Sequence, residues 1–399
     1  MKLLSTIMDT VKKNGMLIAL IGVIILFQIL LLVNGKGVLL NPANVSNIIS
    51  QNAYVVILAT GMLLCILTGG NIDLSVGAVV CVIGAVAGTL ICNMGVNIYV
   101  AIAISLFLGI AIGAWQAFWI AYVRIPPFIV TLAGFLYWRG VGLLILNGLT
   151  ISPFPDNYLK LFTSFLPASK AALLTPEEAA MVKLVTMIVG LVICLIFIVY
   201  QITDRATKKK KGYDTDSFAA MIARMVIISA VVIYAAWLLG QHKGIPVVLV
   251  ILAVIVLGYS YFTAKTVPGR HFYALGGNEK AARLSGINTQ RVMFFAYTNM
   301  GFLAAVAGLV VAGRFNSANP AAGNLYELDA IGACFIGGAS AYGGTGTVGG
   351  AVIGAAFMGV LNNGMSYLGL DANWQKTVKG LVVLFAVVFD VLSKENRKK

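Results

Sequence analysis

Apolar residues fall along this chain in long unbroken runs, without the two-residue alternation of a half-buried strand or the one-sided stripe of a surface helix. A helix needs roughly 20 mostly apolar residues to cross the hydrocarbon core of a bilayer. By that measure the pattern predicts about twelve crossings, at 16–33, 53–68, 74–92, 98–123, 128–146, 183–201, 218–239, 245–263, 292–313, 330–342, 348–368 and 377–392. The tenth is short enough to be re-entrant or broken. The expected fold is all-α: a polytopic transmembrane helical bundle of about ten core spans plus an inserted pair, with broken or re-entrant helices, forming a single transmembrane domain over residues 1–399.

The polar residues between the runs set an orientation, because lysine and arginine accumulate in short cytoplasmic loops. With the N-terminus inside, the inner loops hold Arg124, then Arg205 with the lysines 208–211, then Lys265, Arg270, Lys280, Arg283 and Arg291, and finally Lys394, Arg397, Lys398 and Lys399. The outer loops hold Lys36, Lys243, Arg314 with Glu327 and Asp329, and Asp371. The longer outer segment 147–182 is mixed in sign and carries Pro153, Pro155, Pro167 and Pro176. Both termini are expected in the cytoplasm, with a basic inner loop at 264–291. The spans within 183–239 flank the lysine run and are plain in character. Removing two crossings leaves the orientation of everything downstream unchanged, so this pair reads as an insertion. The first span follows Lys2, Lys12 and Lys13 as a signal peptide would, but no small-residue cleavage site follows Val33, and an uncleaved anchor is expected.

Composition agrees. The chain is 60% hydrophobic and 11% charged, and its 43 glycines come on top of that apolar share. Soluble domains hold roughly 45–50% apolar residues with glycine counted, and about 25% charged ones. A net charge of +14 would suggest nucleic acid for a soluble protein, but here its placement in inner loops accounts for it and no nucleic-acid partner is expected. Cys65, Cys81, Cys92, Cys194 and Cys334 all lie in apolar runs, and His242 and His271 are the only histidines. No metal spacing, catalytic set or cofactor motif emerges, so the chain is not expected to be an enzyme.

Three segments carry candidate chemistry. In Leu67-Thr68-Gly69-Gly70-Asn71-Ile72-Asp73-Leu74-Ser75-Val76-Gly77, a carboxylate sits between two apolar runs beside glycines. The segment reads as a discontinuous helix that lines or hinges a pathway, with Gly69, Gly70, Asp73, Ser75 and Gly77 as candidates. A tight turn is the plainer reading, and Asp73 itself is expected to cap the following helix. A second glycine-rich stretch runs from Phe335 to Gly350 and includes Gly337, Gly338 and Ser340. The two stretches share Gly-Gly at the end of an apolar run, a sign of internal repetition, although close packing through small residues explains many of these glycines. Neither stretch is a phosphate loop, because G-x-x-x-x-G-K-[ST] occurs nowhere in the chain. Arg139 lies inside an apolar run, which admits either a functional role or snorkelling toward the interface beside Trp138. The third segment, Gly276-Gly277-Asn278-Glu279-Lys280-Ala281-Ala282-Arg283-Leu284-Ser285-Gly286-Ile287, predicts a short helix over 279–285 with Asn278 as N-cap and Gly286 as stop. So short a helix is marginal alone in water. Ala281, Ala282 and Ser285 offer a smooth surface, and docking on a partner is expected.

Gly70-Asn71-Ile72-Asp73-Leu74-Ser75-Val76-Gly77, Ile125-Pro126-Pro127-Phe128-Ile129-Val130-Thr131-Leu132, the segment from Leu275 to Ile287 and the glycine stretch near Gly337 together resemble the permeases of ribose-, xylose- and galactose-type ABC importers. The likeness covers most of the chain outside roughly 147–240 and is nearest the longer xylose or multiple-monosaccharide branch. Asn71 departs from the family's usual Gly-Gly-Ile-Asp order. The resemblance implies a homodimeric channel for a monosaccharide in a bacterial inner membrane. It further implies a sugar-binding protein outside, an ATPase subunit inside, and the 278–287 helix as the element that the ATPase receives, with Gly276, Gly277, Asn278, Ala281, Ala282, Arg283, Ser285, Gly286 and Ile287 as its coupling residues. An ion-coupled secondary sugar carrier and a non-transporting membrane scaffold are the rival readings of the same runs.

Overall fold

A computed structural model describes residues 15–167, 175–213 and 218–398. The lysines ahead of the first span lie outside the described residues. Helix α1 (Gly15–Val33) leads to α2 (Pro42–Gln51), α3 (Ala53–Leu67) and α4 (Val76–Gly88), which a π-turn at Thr89–Asn93 continues. Then come α5 (Ile98–Ala121), α6 (Pro127–Leu146), α7 (Asp156–Thr163), α8 (Pro176–Lys210), α9 (Phe218–Gly240) and α10 (Val247–Lys265). The chain ends with α11 (Val267–Gly277), α12 (Glu279–Leu284), α13 (Thr289–Phe315), α14 (Tyr326–Ile336), α15 (Val348–Tyr367) and α16 (Ala372–Lys398). The only strands among the described residues are β1 (Phe165–Leu166) and β2 (Ile245–Pro246). The fold is an all-α polytopic bundle.

Nine of these helices are long and apolar enough to cross a membrane, or ten if α2 and α3 make one bent span. The two expected spans outside that set fail for different reasons. Helix α14 has 11 residues and stops at Gly337, so it reaches about 16 Å, half of a roughly 30 Å core. Helix α16 is 27 residues long, but Lys376, Lys379 and Asp390 interrupt its apolar run.

The chain forms two compact units. The first comprises Met1–Leu39, Ile48–Thr163 and Val248–Lys399. At its centre α3 is buried on every side, with all side chains from Ile57 to Leu67 enclosed, as an all-round apolar helix must be. Around it α13 packs on α3, α4, α5 and α7, while α14 packs on α3, α15 and α16. Between apolar helices in lipid, association rests on close packing. At the α5–α13 contact Gly301 lies directly on Gly109 and Gly113, where an added Cβ would overlap backbone atoms. The outward faces are apolar: Ile21 and Ile29 on α1, Phe107 on α5 and Leu144 on α6 are all more than half exposed. In water such faces would drive association; against acyl chains they are matched.

The second unit comprises Leu40–Asn47 and Ser164–Val247. Gly190 faces Ala236 and Gly240 faces Thr186, so α8 and α9 run antiparallel. Phe165 and Leu166 pair antiparallel with Pro246 and Ile245 to close the base of that hairpin. A capping box starts α8: the Thr175 side chain accepts from the Glu178 amide at 3.3 Å, and the Glu178 carboxylate accepts from the Thr175 amide at 2.9 Å. The segment 147–182 is therefore not one extended loop. It contains α7 and the first turns of α8, which begins seven residues before the apolar run expected at 183.

Candidate functional site

Helix α3 ends at Leu67 because Gly69 and Gly70 follow with φ of +126° and +77°, a region that L side chains avoid. Helix α14 ends in the same way at Gly337, with Gly338 at φ +80°. The two breaks meet. The Gly344 amide donates to Leu67 O at 3.1 Å. A Cβ on Gly70 would overlap Ala341 O, and one on Gly343 would overlap Gly69. Ser340 shapes the second break: its amide donates to Thr345 O at 3.0 Å, and its Oγ accepts from the Tyr342 amide at 3.1 Å. Asp390 on α16 accepts from the Ala341 amide at 3.0 Å, which fastens this break to the last helix.

A third glycine pair joins them. Helix α11 ends at Gly276 and Gly277, and Gly276 sits on the Leu67–Gly344 hydrogen bond so tightly that a Cβ would intrude on both partners. Tyr273 donates to Gly346 O at 3.0 Å. Beyond this junction Asn278 turns extended and caps α12, its Oδ1 accepting from the Ala281 amide at 3.0 Å. Ser285 Oγ donates to Ala281 O at 2.9 Å, and Gly286 stops the helix at φ +85°. Cap and stop are where the sequence puts them. The presented face is not. Ala282 is buried in its own chain, with Ile287 donating back to Ala282 O at 3.1 Å, whereas Leu284 is 90% exposed. The surface offered by α12 is Leu284 with Ala281, Arg283 and Ser285, and Ala282 is its footing. Beside it a cavity of about 420 Å³ opens toward Thr68 and Asn71 on one wall and Arg124, Glu279, Arg283 and Met293 on the others. Asn71 Nδ2 donates to Thr68 O at 3.3 Å, closing the turn that the extra residue creates.

Away from the junction, the first break carries buried polar groups. Asp73 is 3% exposed, and its Oδ1 accepts from the Ser75 amide at 2.8 Å and from Ser75 Oγ at 2.6 Å. Ser75 Oγ in turn accepts from Gln116 Nε2 of α5 at 2.9 Å. Asp73 thus braces the turn ahead of α4, and no side-chain cap of α4 forms, contrary to the expected cap. Gly77, one turn on, touches Gly323 O and Glu327 Oε2. Arg139 lies near this point, its Nη1 donating to Pro320 O at 3.2 Å and Ala322 O at 2.7 Å while Nη2 is buried and unpartnered.

Glu327 and Asp329, expected as outer-loop charges, lie in the first turn of α14 and are 6% and 0% exposed. Asp329 Oδ2 accepts from Tyr54 Oη at 2.5 Å and from Lys379 Nζ at 3.0 Å, so one carboxylate joins α3, α14 and α16. The site residues therefore fall into two groups: Gly69, Gly70, Ser340, Gly276 and Gly277 at the junction, and Asp73, Ser75, Gly77 and Arg139 along α4 and α6. Gly337 and Gly338 sit at the end of α14, where Gly337 lies on Gly350 O. Gln116, Tyr54, Glu327, Asp329 and Lys379 are the residues that sequence reasoning left out. An acidic pair at i and i+2 opening a short apolar run was the available signal. Among the described residues no group of histidine, cysteine or carboxylate side chains could hold a metal.

Residues 44–387 match the family described as branched-chain amino acid transport system / permease component. Among curated proteins, the chain is 37% identical over 383 residues to the xylose transport system permease protein XylH of Escherichia coli (strain K12), covering 96% of this chain and 93% of that protein. It is 34% identical to the protein of the same name from Haemophilus influenzae, over 96% of each chain. It is also 35% identical to the ribose import permease protein RbsC of E. coli (strain K12), over 87% of this chain and 85% of that protein. No solved structure matches the chain.

Proposed function

The chain belongs to the family of branched-chain amino acid transport system permease components, and from that premise we propose that it is the membrane-spanning subunit of an ATP-driven importer for monosaccharides. The curated relatives are named for xylose and ribose transport, which supports a sugar rather than an amino acid as cargo. A separate ATPase on the cytoplasmic side, a sugar-binding protein outside and a second copy of this chain complete the assembly in a bacterial inner membrane. Both termini face the cytoplasm in this reading, which rests on the placement of lysine and arginine. The helix pair of the second unit is an insertion peripheral to the pathway, and the cytoplasmic 264–291 loop carries the coupling residues 276–287.

The observation that carries the reading is α12. It is a capped helix of six residues within the basic 264–291 segment, and its one large apolar side chain, Leu284, is 90% exposed. Its root, Gly276 and Gly277, is packed on both helix breaks. A push on α12 by a closing ATPase dimer would therefore reach both breaks through backbone contacts without flexible side chains between. An ion-coupled secondary carrier has no use for such a helix.

The test is to purify the chain with its ATPase and measure complex formation and ATP-driven uptake in proteoliposomes. Leu284→Asp should lose both, because a charge would replace the apolar anchor. Lys280→Ala should change either by less than about threefold, since an exposed rim charge is screened. If Leu284→Asp assembles and imports like the parent, α12 is not the coupling element, and if the parent's own uptake needs no ATP but collapses with the ion gradient, the ion-coupled reading takes its place.

A further inference from the structure

Two groups of opposite charge, the buried Glu327 and the half-buried Arg139, stand at the same turn of chain without pairing. Glu327 is 6% exposed, and its Oε2 makes no hydrogen bond. Arg139 is half-buried, its Nη1 is spent on Pro320 O and Ala322 O, and its buried Nη2 makes none. They flank the same turn. Arg139 grips it at Pro320 and Ala322, while Glu327 Oε2 lies beside Gly323 O against the bare Cα of Gly77. No ion pair within 4.0 Å joins them among the described residues.

Leaving a buried charged donor and a buried charged acceptor both unsatisfied is strongly unfavourable, more so than for neutral groups. A hydroxyl, whether of a water or of a polyol ligand, suits both groups, since it donates to a carboxylate oxygen and accepts from a guanidinium. An anion would be repelled by Glu327 and a cation by Arg139. Depth agrees with a transported ligand: Arg139 stands twelve residues along α6 from Pro127, about 18 Å, near the middle of a roughly 30 Å core. Gly77 keeps the wall between α4 and the 320–323 turn thin, since any side chain there would strike both Gly323 and Glu327.

We propose that Glu327 and Arg139 form a hydroxyl-binding subsite that the imported monosaccharide occupies during transit, so that the permease itself reads one sugar hydroxyl. The proposal rests on the sugar-importer reading above and adds a place where selectivity is exercised inside the membrane. Gly77 bounds the subsite, and the Asp73–Ser75–Gln116 chain lies next to it along the first break.

The experiment uses the full assembly of permease, ATPase and binding protein in proteoliposomes with ATP inside the appropriate compartment. Uptake is measured for whichever of xylose and ribose the parent assembly imports, and for each of its monodeoxy analogues. Discrimination by the binding protein is common to every permease variant, so the ratio of parent-sugar to analogue uptake, compared between variants, isolates the permease. Glu327→Gln and Arg139→Lys should each reduce discrimination against one particular deoxy position by about tenfold, the loss expected for a hydrogen bond to a charged group. Co-purification with the ATPase reports whether each variant is folded. Should Glu327→Gln fail to assemble, the same ratio is read on Arg139→Lys, which keeps the charge and removes Nη2. If all analogues slow by one common factor, or none changes, the pair holds a structural water only and the subsite is overturned. If the parent assembly imports neither sugar with ATP, the importer reading itself fails and the subsite with it.

Discussion

Gly70 and Gly276 show how single positions shape the junction. Gly70 stands at φ +77° with Ala341 O where its Cβ would be. Gly70→Ala should therefore cost roughly 1–3 kcal/mol, combining left-handed strain with overpacking. Gly258, in the middle of α10 with nothing within 4 Å of an added Cβ, is the control. Gly258→Ala should be neutral or stabilising by up to about 1 kcal/mol, and thermal unfolding in mild detergent separates the two. The Asp329–Lys379 pair makes a second residue-level prediction. Asp329 is fully buried and Lys379 nearly so, with their charges 3.0 Å apart. Removing one partner, by Asp329→Asn or Lys379→Met, should cost about 3–5 kcal/mol because a buried charge is left alone. The double replacement should cost much less than the sum of the two, which a double-mutant cycle would read as a coupling energy. Sequence could not show this pair. Lys379 and Asp329 are fifty positions apart, and a carboxylate near a loop reads as solvated until a neighbouring helix covers it.

At the scale of elements, apolar runs announced the helices but not their full lengths. Helix α8 reaches from Pro176 to Lys210, while its apolar run covers only 183–201. The capping box starts it early, and lysine, arginine and alanine, which favour helix, carry it on beyond the span. Its basic end at 208–211 belongs to the second compact unit, whereas both breaks belong to the first. Replacing those four lysines by glutamine should leave the order of preference among competing sugars unchanged, and a reordered preference in uptake competition would refute the peripheral role of this hairpin. Helix α12 was legible in its cap and stop, because Asn278 and Gly286 act on their own neighbours. Which face it turns outward was not legible, because six residues give no periodicity and packing on α11 and α13 decided that Ala282 points in. Ala282→Trp should accordingly dislodge α12 from its own chain and expose it to limited proteolysis, an effect separate from the loss of anchoring expected for Leu284→Asp.

For the whole molecule the testable quantity is orientation. Single cysteines at Asn41, Pro167 and Asn324, on a background lacking the native five, should react with an impermeant thiol reagent in intact cells. Cysteines at Lys208 and Asn278 should react only after permeabilisation, and strong labelling of either in intact cells would invert the topology. Asn14, which should behave like Lys208, lies outside the described residues. The sequence by itself determined that the chain lives in a bilayer, roughly where it crosses, and that two glycine-rich interruptions and a short capped helix stand apart from plain spans. Those properties depend on residues close together in the chain: run length, charge between runs, and φ values that only glycine tolerates. Tertiary structure alone decided that α14 is a half-length helix, that Gly69–Gly70, Gly343–Gly344 and Gly276–Gly277 converge about one hydrogen bond between Leu67 and Gly344, and that Glu327 and Asp329 are enclosed rather than solvated. The reason is physical. Burial of a charge depends on which distant helices close around it, and backbones that touch through glycine leave no pattern in either segment to show which partner they meet.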